Sequence, residues 1–334
     1  MIDINFYQRI HKFKKQFENG DINANYFCDM LNKYRSKTPV VFNIETTNDC
    51  NMRCKMCPRT TQMVRPIGTM SMLTFQKIVD QIKPWTSKEW NEWIAFVKRS
   101  YKVMPNEMNE NHFFFYIVPK VVTLHGFGEP LRDRFIVKRI ALLDERNIPS
   151  YFSSNPYNIT LKRGRNLMKA GLDYFKLSAE NIKLFEKSED IIKHLILERD
   201  INSYETTFIF DVVGSNKDYK ALQKMFDGYN VYIYCKSKDN QWYNKAKTTQ
   251  QSIHWSEPCQ FPWSSLSIMW EGAIVPCSQD FNCEMVLGNV KSQSLQEVWN
   301  GINYLVFRRN HYIKTIKNKC ITSCDMKVIG DYKC

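Results

Sequence analysis

The chain has 334 residues, 43% of them hydrophobic and 14% aromatic, enough to bury one large core or a large core with a smaller satellite, and this excludes global disorder. No run approaches the roughly 18–20 apolar residues that cross a bilayer, and the opening MIDINFYQRIHKFKKQFENGD lacks the apolar stretch of a secretory signal, so a cytoplasmic protein with no membrane partner is expected. The formal charge of +13 raises the question of phosphate backbones. Lys and Arg are scattered, however, and no RNA-binding or helix-turn-helix signature stands out, so a generally basic surface is favoured over a nucleic-acid site.

Residues 4–36 read as one or two amphipathic helices, with Phe6, Ile10, Phe13 and Phe17 at helical spacing. From Val40 the pattern changes to short β-branched and aromatic runs. These are VVFNIETT, VVTLHGF (121–127), IPSYFSS (148–154), LDYFKLS (172–178), TTFIFDVV (206–213) and NVYIYC (230–235), separated by helix-like segments such as LTFQKIVDQI and DRFIVKRIALLDER. Six strands alternating with helices predict parallel β/α units, an α/β fold whose right-handed series curls into a partial (β/α)6 TIM-like barrel. Chemistry in such barrels sits on the loops after the strands. Polar residues gather there: a cysteine cluster follows the first run, GFGEP the second, SSN the third and SAEN the fourth.

Residues 84–118 break the rhythm, being longer than a normal connection and carrying Trp85, Trp90, Trp93, Phe96, Tyr101 and Phe113. An extra helix packing its aromatics on the barrel flank is expected, with a lid or partner surface as the alternative. After Cys235 a polar linker leads to a hairpin, SLSIMWEGAIVP, with Glu271 and Gly272 at its turn. A short helix, SLQEVWN, and a longer one from Tyr304 to Tyr312 follow. The expected domains are a helical extension over 1–39, the barrel over 40–250 with its insert, and a small C-terminal α+β domain over 251–334.

Eleven cysteines are many for a cytoplasmic chain, and they cluster, three within residues 50–57 and six within the last 76 residues, which favours metal ligation over scattered core thiols. Cys50-x3-Cys54-x2-Cys57 supplies three thiolates on one loop. A four-iron cubane held by three ligands keeps one iron free of protein, as a catalytic cluster needs. A structural zinc site wants four ligands and a redox Cys-x-x-Cys pair wants two; neither accounts for this triplet. The separated pairs Cys259/Cys277 and Cys320/Cys324 can converge on a four-thiolate site, with zinc as the alternative occupant. Cys28, in an N-terminal helix, is expected to be a buried small hydrophobe.

The stretch TTNDCNMRCKMCPR resembles the cluster-binding loop of the radical S-adenosylmethionine (SAM) superfamily, including an apolar Met56 before the third cysteine. GFGEP resembles the family's glycine–glutamate motif, which implies that Gly128, Glu129 and Pro130 hold the methionine amino end of SAM. Ser178 matches a serine that contacts the SAM ribose in relatives, with Glu180 close by, and Ser154 and Asn155 stand where relatives carry a Ser-Asn or Thr-Asn pair near SAM. WSSLSIMWEGAIVPCSQDF and LGNVKSQSLQEVWNG resemble the SPASM/twitch extension of many such enzymes, so the resemblance spans about residues 40–325.

The resemblance implies a SAM-binding [4Fe–4S] cluster on Cys50, Cys54 and Cys57. The Cys-x2-Cys-x5-Cys run of the two-cluster extension is absent, so one auxiliary [4Fe–4S] cluster on Cys259, Cys277, Cys320 and Cys324 is expected, with Cys283 or Cys334 able to replace one ligand. It further implies reductive cleavage of SAM to a 5′-deoxyadenosyl radical that removes a hydrogen atom from substrate. The favoured reaction is oxidation of a small polar substrate with the auxiliary cluster as electron acceptor and a flavodoxin or ferredoxin as low-potential donor. An epimerase or peptide-modifying enzyme is the alternative, with Cys235 a candidate hydrogen donor, and a non-enzymatic iron–sulfur or zinc protein the further one.

Overall fold

The computed structural model describes residues 1–55, 57–179, 182–236, 258–312, 320 and 324. The six apolar runs form β1 (Val41–Ile44), β2 (Val122–Thr123), β3 (Ser150–Ser154), β4 (Tyr174–Ser178), β5 (Thr207–Val213) and β6 (Tyr232–Lys236). Each lies parallel beside its sequence neighbour, in the order β6-β5-β4-β3-β2-β1, as expected for a partial barrel. Alternation along each strand divides its side chains between two faces. Phe152, Phe175, Leu177, Phe208 and Phe210 join the large core shared with the crossover helices. Tyr151, Lys176, Ile209, Asp211 and Tyr234 take the opposite, inner face, and the register keeps them level across strands.

The C-terminal hairpin forms where expected, as β7 (Leu266–Ile268) and β8 (Ala273–Val275). Gly272 turns it at φ +90°, a conformation that suits glycine. Instead of standing as a separate layer, it extends the barrel sheet. β7 pairs in parallel with β1, β8 runs antiparallel to β7, and β9 (Gly288–Asn289) is added outside β8, giving nine strands in one sheet. The helix Leu295–Asn300 follows, its start fixed by a reciprocal Ser294–Glu297 capping box.

The N-terminal residues form two helices, Ile4–Glu18 and Ala24–Tyr34, capped by the side chains of Asp3 and Asn23. They share a second core with the insert helix Ser87–Tyr101, where Phe6, Ile10, Phe27, Leu31, Trp93 and Phe96 meet and Cys28 is fully buried. The first half of the insert is thus a flank helix. The second half does something else. Its π-helical turn, Phe113–Ile117, packs Phe113 and Ile117 against Tyr151, Ile209, Tyr232 and Tyr234, and the Tyr232 hydroxyl donates to the Asn109 carbonyl. Three of these partners lie near the starts of their strands, so the insert plugs the barrel at the end opposite the functional loops. Among the described residues no helix is long and apolar enough to cross a membrane.

One side chain ties the cysteine loop, the barrel and the hairpin together. Arg65 donates from Nη2 to both oxygens of Glu45 at 2.9 and 2.6 Å, from Nη1 to both oxygens of Glu271 at 3.0 and 2.7 Å, and from Nε to the Phe281 carbonyl at 2.6 Å. Glu45 directly follows β1 and is fully buried; Glu271 sits in the β7–β8 turn. Burial pushes the Glu45 carboxyl up, and Arg65 opposes it. Only a planar guanidinium offers donors in directions that reach both carboxylates and the carbonyl. Arg65→Met leaves a buried carboxylate unpaired and is expected to cost about 3–5 kcal/mol of unfolding free energy, measured by urea denaturation; Arg65→Lys is expected to recover only part of it.

Candidate active site and cluster centres

The loop after β1 is held from both sides before it reaches its cysteines. Thr47 bridges to Thr69, Asn48 accepts from the Gly68 amide at 2.8 Å and donates to the Pro66 carbonyl at 2.9 Å, and Arg59 Nε donates to the Asn48 carbonyl at 2.7 Å. Asp49 pairs with Arg132 at 2.5 Å. Cys50, Cys54 and Cys57 follow, all half-buried. The Cys57 amide donates to the Cys54 carbonyl at 3.1 Å, closing a tight turn, and Cys57 caps the short helix Pro58–Thr61. Burial pushes the Cys57 thiol up and the Cys50 sulfur adds to that, while the amides of Arg59 and Thr60 point at its sulfur and oppose them. Cys50 is likewise pushed up by burial, with Glu129 and Cys54 adding to it. Thiols that burial and their neighbours push up, as at Cys50 and Cys57, fit a cationic iron–sulfur core, which deprotonates its ligands. Met56 lies outside the described residues.

GFGEP arrives beside this loop because Gly128 lets it. A Cβ on Gly128 would collide with the Thr47 carbonyl and the Asn48 backbone, and the Glu129 amide donates to the Asp49 carbonyl at 2.8 Å. Glu129 itself is buried and its carboxylate is fully engaged. It accepts from Ser154 Oγ at 2.6 Å, the Asn155 amide at 2.9 Å, Asn155 Nδ2 at 2.6 Å and the Leu131 amide at 3.1 Å. Burial pushes this carboxyl up against the pull of those donors. Four of the residues singled out in the sequence, Gly128, Glu129, Ser154 and Asn155, are therefore one network, and Pro130 starts the turn Pro130–Arg132 below it. The side chain of Glu129 braces the loops after β2 and β3. Ser178 lies on the inner face at the end of β4, its Oγ 3.2 Å from Ser153 Oγ. Glu180 lies outside the described residues.

The C-terminal cysteines separate into two kinds. Cys277 is pushed well up by burial, with Cys324, Cys259 and Cys320 adding to it, and Cys320 is pushed up by burial, Cys324, Cys259 and Asp280. Cys259, Cys320 and Cys324 thus all stand near enough to Cys277 to bear on its charge, although they come from both ends of a segment of more than 60 residues. Among the described residues no three His, Cys, Asp or Glu side chains stand close enough to share a single metal ion. Thiols that oppose one another's ionisation again fit a multinuclear iron–sulfur core. Cys283 stands apart, among Met269, Ala273 and Val275; its thiol is pushed up to about 12, first by burial, and its charged neighbours are Arg65, Glu271, Asp280 and Glu45. Cys334 lies outside the described residues.

Cys235, the candidate hydrogen donor, stands on the outer face of β6. It pairs in register with Val212, which belongs to the outer core, and shares its strand face with Ile233, whereas Tyr234 and Lys236 take the inner face. A period of two turns its thiol away from the lumen, so it does not face a substrate there. The inner face instead carries charges that the strand readings passed over. Lys176 Nζ meets Asp211 Oδ2 at 2.9 Å, both buried, beside His125. Burial, Lys176 and Lys236 hold His125 neutral, pushed down to about 3, and its Nδ1 accepts from the Ser153 amide at 3.1 Å. The signal was present: Lys in LDYFKLS and Asp in TTFIFDVV interrupt apolar runs at the positions that face inward.

Residues 259–326 match the family model of SPASM, an iron–sulfur cluster-binding domain. The chain is similar to an S-adenosyl-L-methionine-dependent 2-deoxy-scyllo-inosamine dehydrogenase of Niallia circulans, 18% identical over 273 residues that cover 80% of this chain and 84% of that protein. Among solved structures it is similar to BtrN in complex with AdoMet and 2-DOIA (16% identity, 85% of this chain and 96% of that one, TM-score 0.48). It is also similar to Streptococcus suis SuiB bound to S-adenosylmethionine (14% identity, 91% and 78%, TM-score 0.48). The C-terminal residues 259–326 are thus an iron–sulfur cluster-binding SPASM domain, and the chain as a whole is similar to an S-adenosyl-L-methionine-dependent dehydrogenase.

Proposed function

We propose that this enzyme oxidises a small polar substrate by two electrons, with the second electron leaving through an auxiliary cluster. The observation that carries the reading is the convergence of Cys259, Cys277, Cys320 and Cys324 into a thiol group distinct from the Cys50 loop. An electron sink of that kind is what an oxidation needs once a hydrogen atom has been removed. The plugged barrel end supports a small substrate, and the dehydrogenase similarity supports the reaction class.

Cys50, Cys54 and Cys57 would hold the SAM-binding cluster. When bound and reduced, that centre supplies an electron that breaks the SAM sulfonium bond and yields a hydrogen-abstracting radical. The chain's own part is positional. Glu129 locks the glycine motif to the loop after β3, so that the backbone beside Gly128 receives the methionine amino end. Ser178 marks the inner rim for the ribose. Arg65 holds the C-terminal domain against the barrel, where Phe127 of the glycine motif stacks edge-on to Phe281 at 5.6 Å. Cys259, Cys277, Cys320 and Cys324 would hold the auxiliary cluster, and a low-potential flavodoxin or ferredoxin would supply the electron.

Anaerobic reconstitution is expected to load about eight irons per chain, two four-iron cubanes, and dithionite with SAM to release 5′-deoxyadenosine. Cys50→Ala is expected to abolish that release and drop the iron content by half. Cys277→Ala is expected to lose the same amount of iron but retain SAM cleavage. A fully loaded wild-type protein that forms no 5′-deoxyadenosine would falsify the assignment, and deuterium from solvent in the product would point to epimerisation instead of oxidation. Glu129→Ala leaves four donors without their acceptor; it is expected to weaken SAM binding at least tenfold by calorimetric titration and to cost about 1–3 kcal/mol of stability.

A further inference from the structure

The inner face of the barrel holds polar atoms that the protein leaves unsatisfied. Asp211 is 3% exposed and Tyr234 is 1% exposed. Asp211 Oδ1 and the Tyr234 hydroxyl have no hydrogen-bond partner among the described residues. The two stand in register on β5 and β6, and Ser178 is in register with Asp211 on β4. On the same sheet face, Asn43 Oδ1 and Ser267 Oγ, also in register, are buried and unsatisfied. Leaving such groups dry is costly, and native proteins rarely do it without a reason.

The surroundings narrow what can fill the gap. Lys176 occupies Asp211 Oδ2 at 2.9 Å and lies 5.4 Å from the centre of the Phe113 ring that floors the lumen. With Oδ2 paired to the lysine, Oδ1 is left as an acceptor. The Tyr234 hydroxyl can donate, and the same low-dielectric setting that burdens it disfavours its ionised form. One group satisfies both by donating to Asp211 and accepting from Tyr234: a hydroxyl. A carboxylate or phosphate would meet the Asp211 charge. An ammonium would face Lys176 and would leave the Tyr234 proton without an acceptor.

We propose that Asp211 and Tyr234 form a hydroxyl-binding subsite for the substrate, which is therefore a neutral or weakly charged polyhydroxy compound such as a cyclitol. This rests on the oxidation reading above and names its substrate class. Lys176 is a positioning residue, and the alcohol would sit level with Ser178, beside the place assigned to the SAM ribose.

The test uses reconstituted holoenzyme with SAM and two probes, scyllo-inositol and 2-deoxy-scyllo-inosamine, titrated calorimetrically. At least one is expected to bind saturably, and Asp211→Asn and Tyr234→Phe are each expected to weaken it tenfold or more. Tyr234→Phe is expected to keep or raise Tm, because it deletes an unpaired buried hydroxyl; a merely structural hydroxyl would lower Tm on removal. Binding of neither probe, or equal binding by both variants, overturns the subsite. Release of 5′-deoxyadenosine is measured separately. Its absence despite probe binding overturns the oxidation reading and leaves the subsite standing, and its presence without probe binding does the reverse.

Discussion

The Arg65 guanidinium between Glu45 and Glu271 is the contact on which the rest of the arrangement depends. Its three donor directions reach the end of the first barrel strand, the hairpin turn of the C-terminal domain and the Phe281 carbonyl. Because Arg65 follows the cysteine loop, the same residue fixes where that loop leaves the barrel. A buried ion pair is weak evidence of net stability, since desolvation offsets much of the attraction. Its value here is geometric: the buried Glu45 carboxylate and the half-buried Glu271 carboxylate are both paired in one relative placement of barrel and extension. Cys283 lies beside the same clamp, with Arg65, Glu271 and Glu45 among its charged neighbours.

The barrel separates its polar groups by strand period. Outward positions are aromatic and aliphatic, and they stack Phe152, Phe175 and Phe208 across three strands beneath the helices. Inward positions hold Lys176, Asp211, Tyr151 and Tyr234 over a floor built by Phe113. Satisfied networks and unsatisfied atoms are distributed differently along this face. At the rim, Glu129 is saturated by four donors and holds the loops rigid. Deeper in, Asp211 and Tyr234 keep one polar atom each unpaired, which is the pattern of a surface completed by a ligand.

Much of this was legible from residues alone. The six strands, the hairpin with Gly272 at its turn, the Cys50 triplet and the flank helix carrying Trp93 all follow from local periodicity and spacing, which depend on residues a few positions apart. The plug at Phe113 was not legible, because an aromatic run reads the same whether it covers a flank or fills a barrel end. Cys235 shows the limit from the other side. Its place at the end of a strand suggested the lumen, but which face it takes is set by pairing with Val212, and a shift of one residue reverses the answer.

The amino-acid pattern by itself therefore established the strand order, the three-thiolate loop and the presence of further cysteines in two distant pairs, since each is written in short-range chemistry. That those pairs converge, that Glu129 is shared among Ser154, Asn155 and Leu131, and that Arg65 joins Glu45 to Glu271 across more than 200 positions emerged only in the folded chain. Contacts of that range have no periodicity to betray them. They exist because buried charges and thiols must find partners wherever packing brings partners within reach.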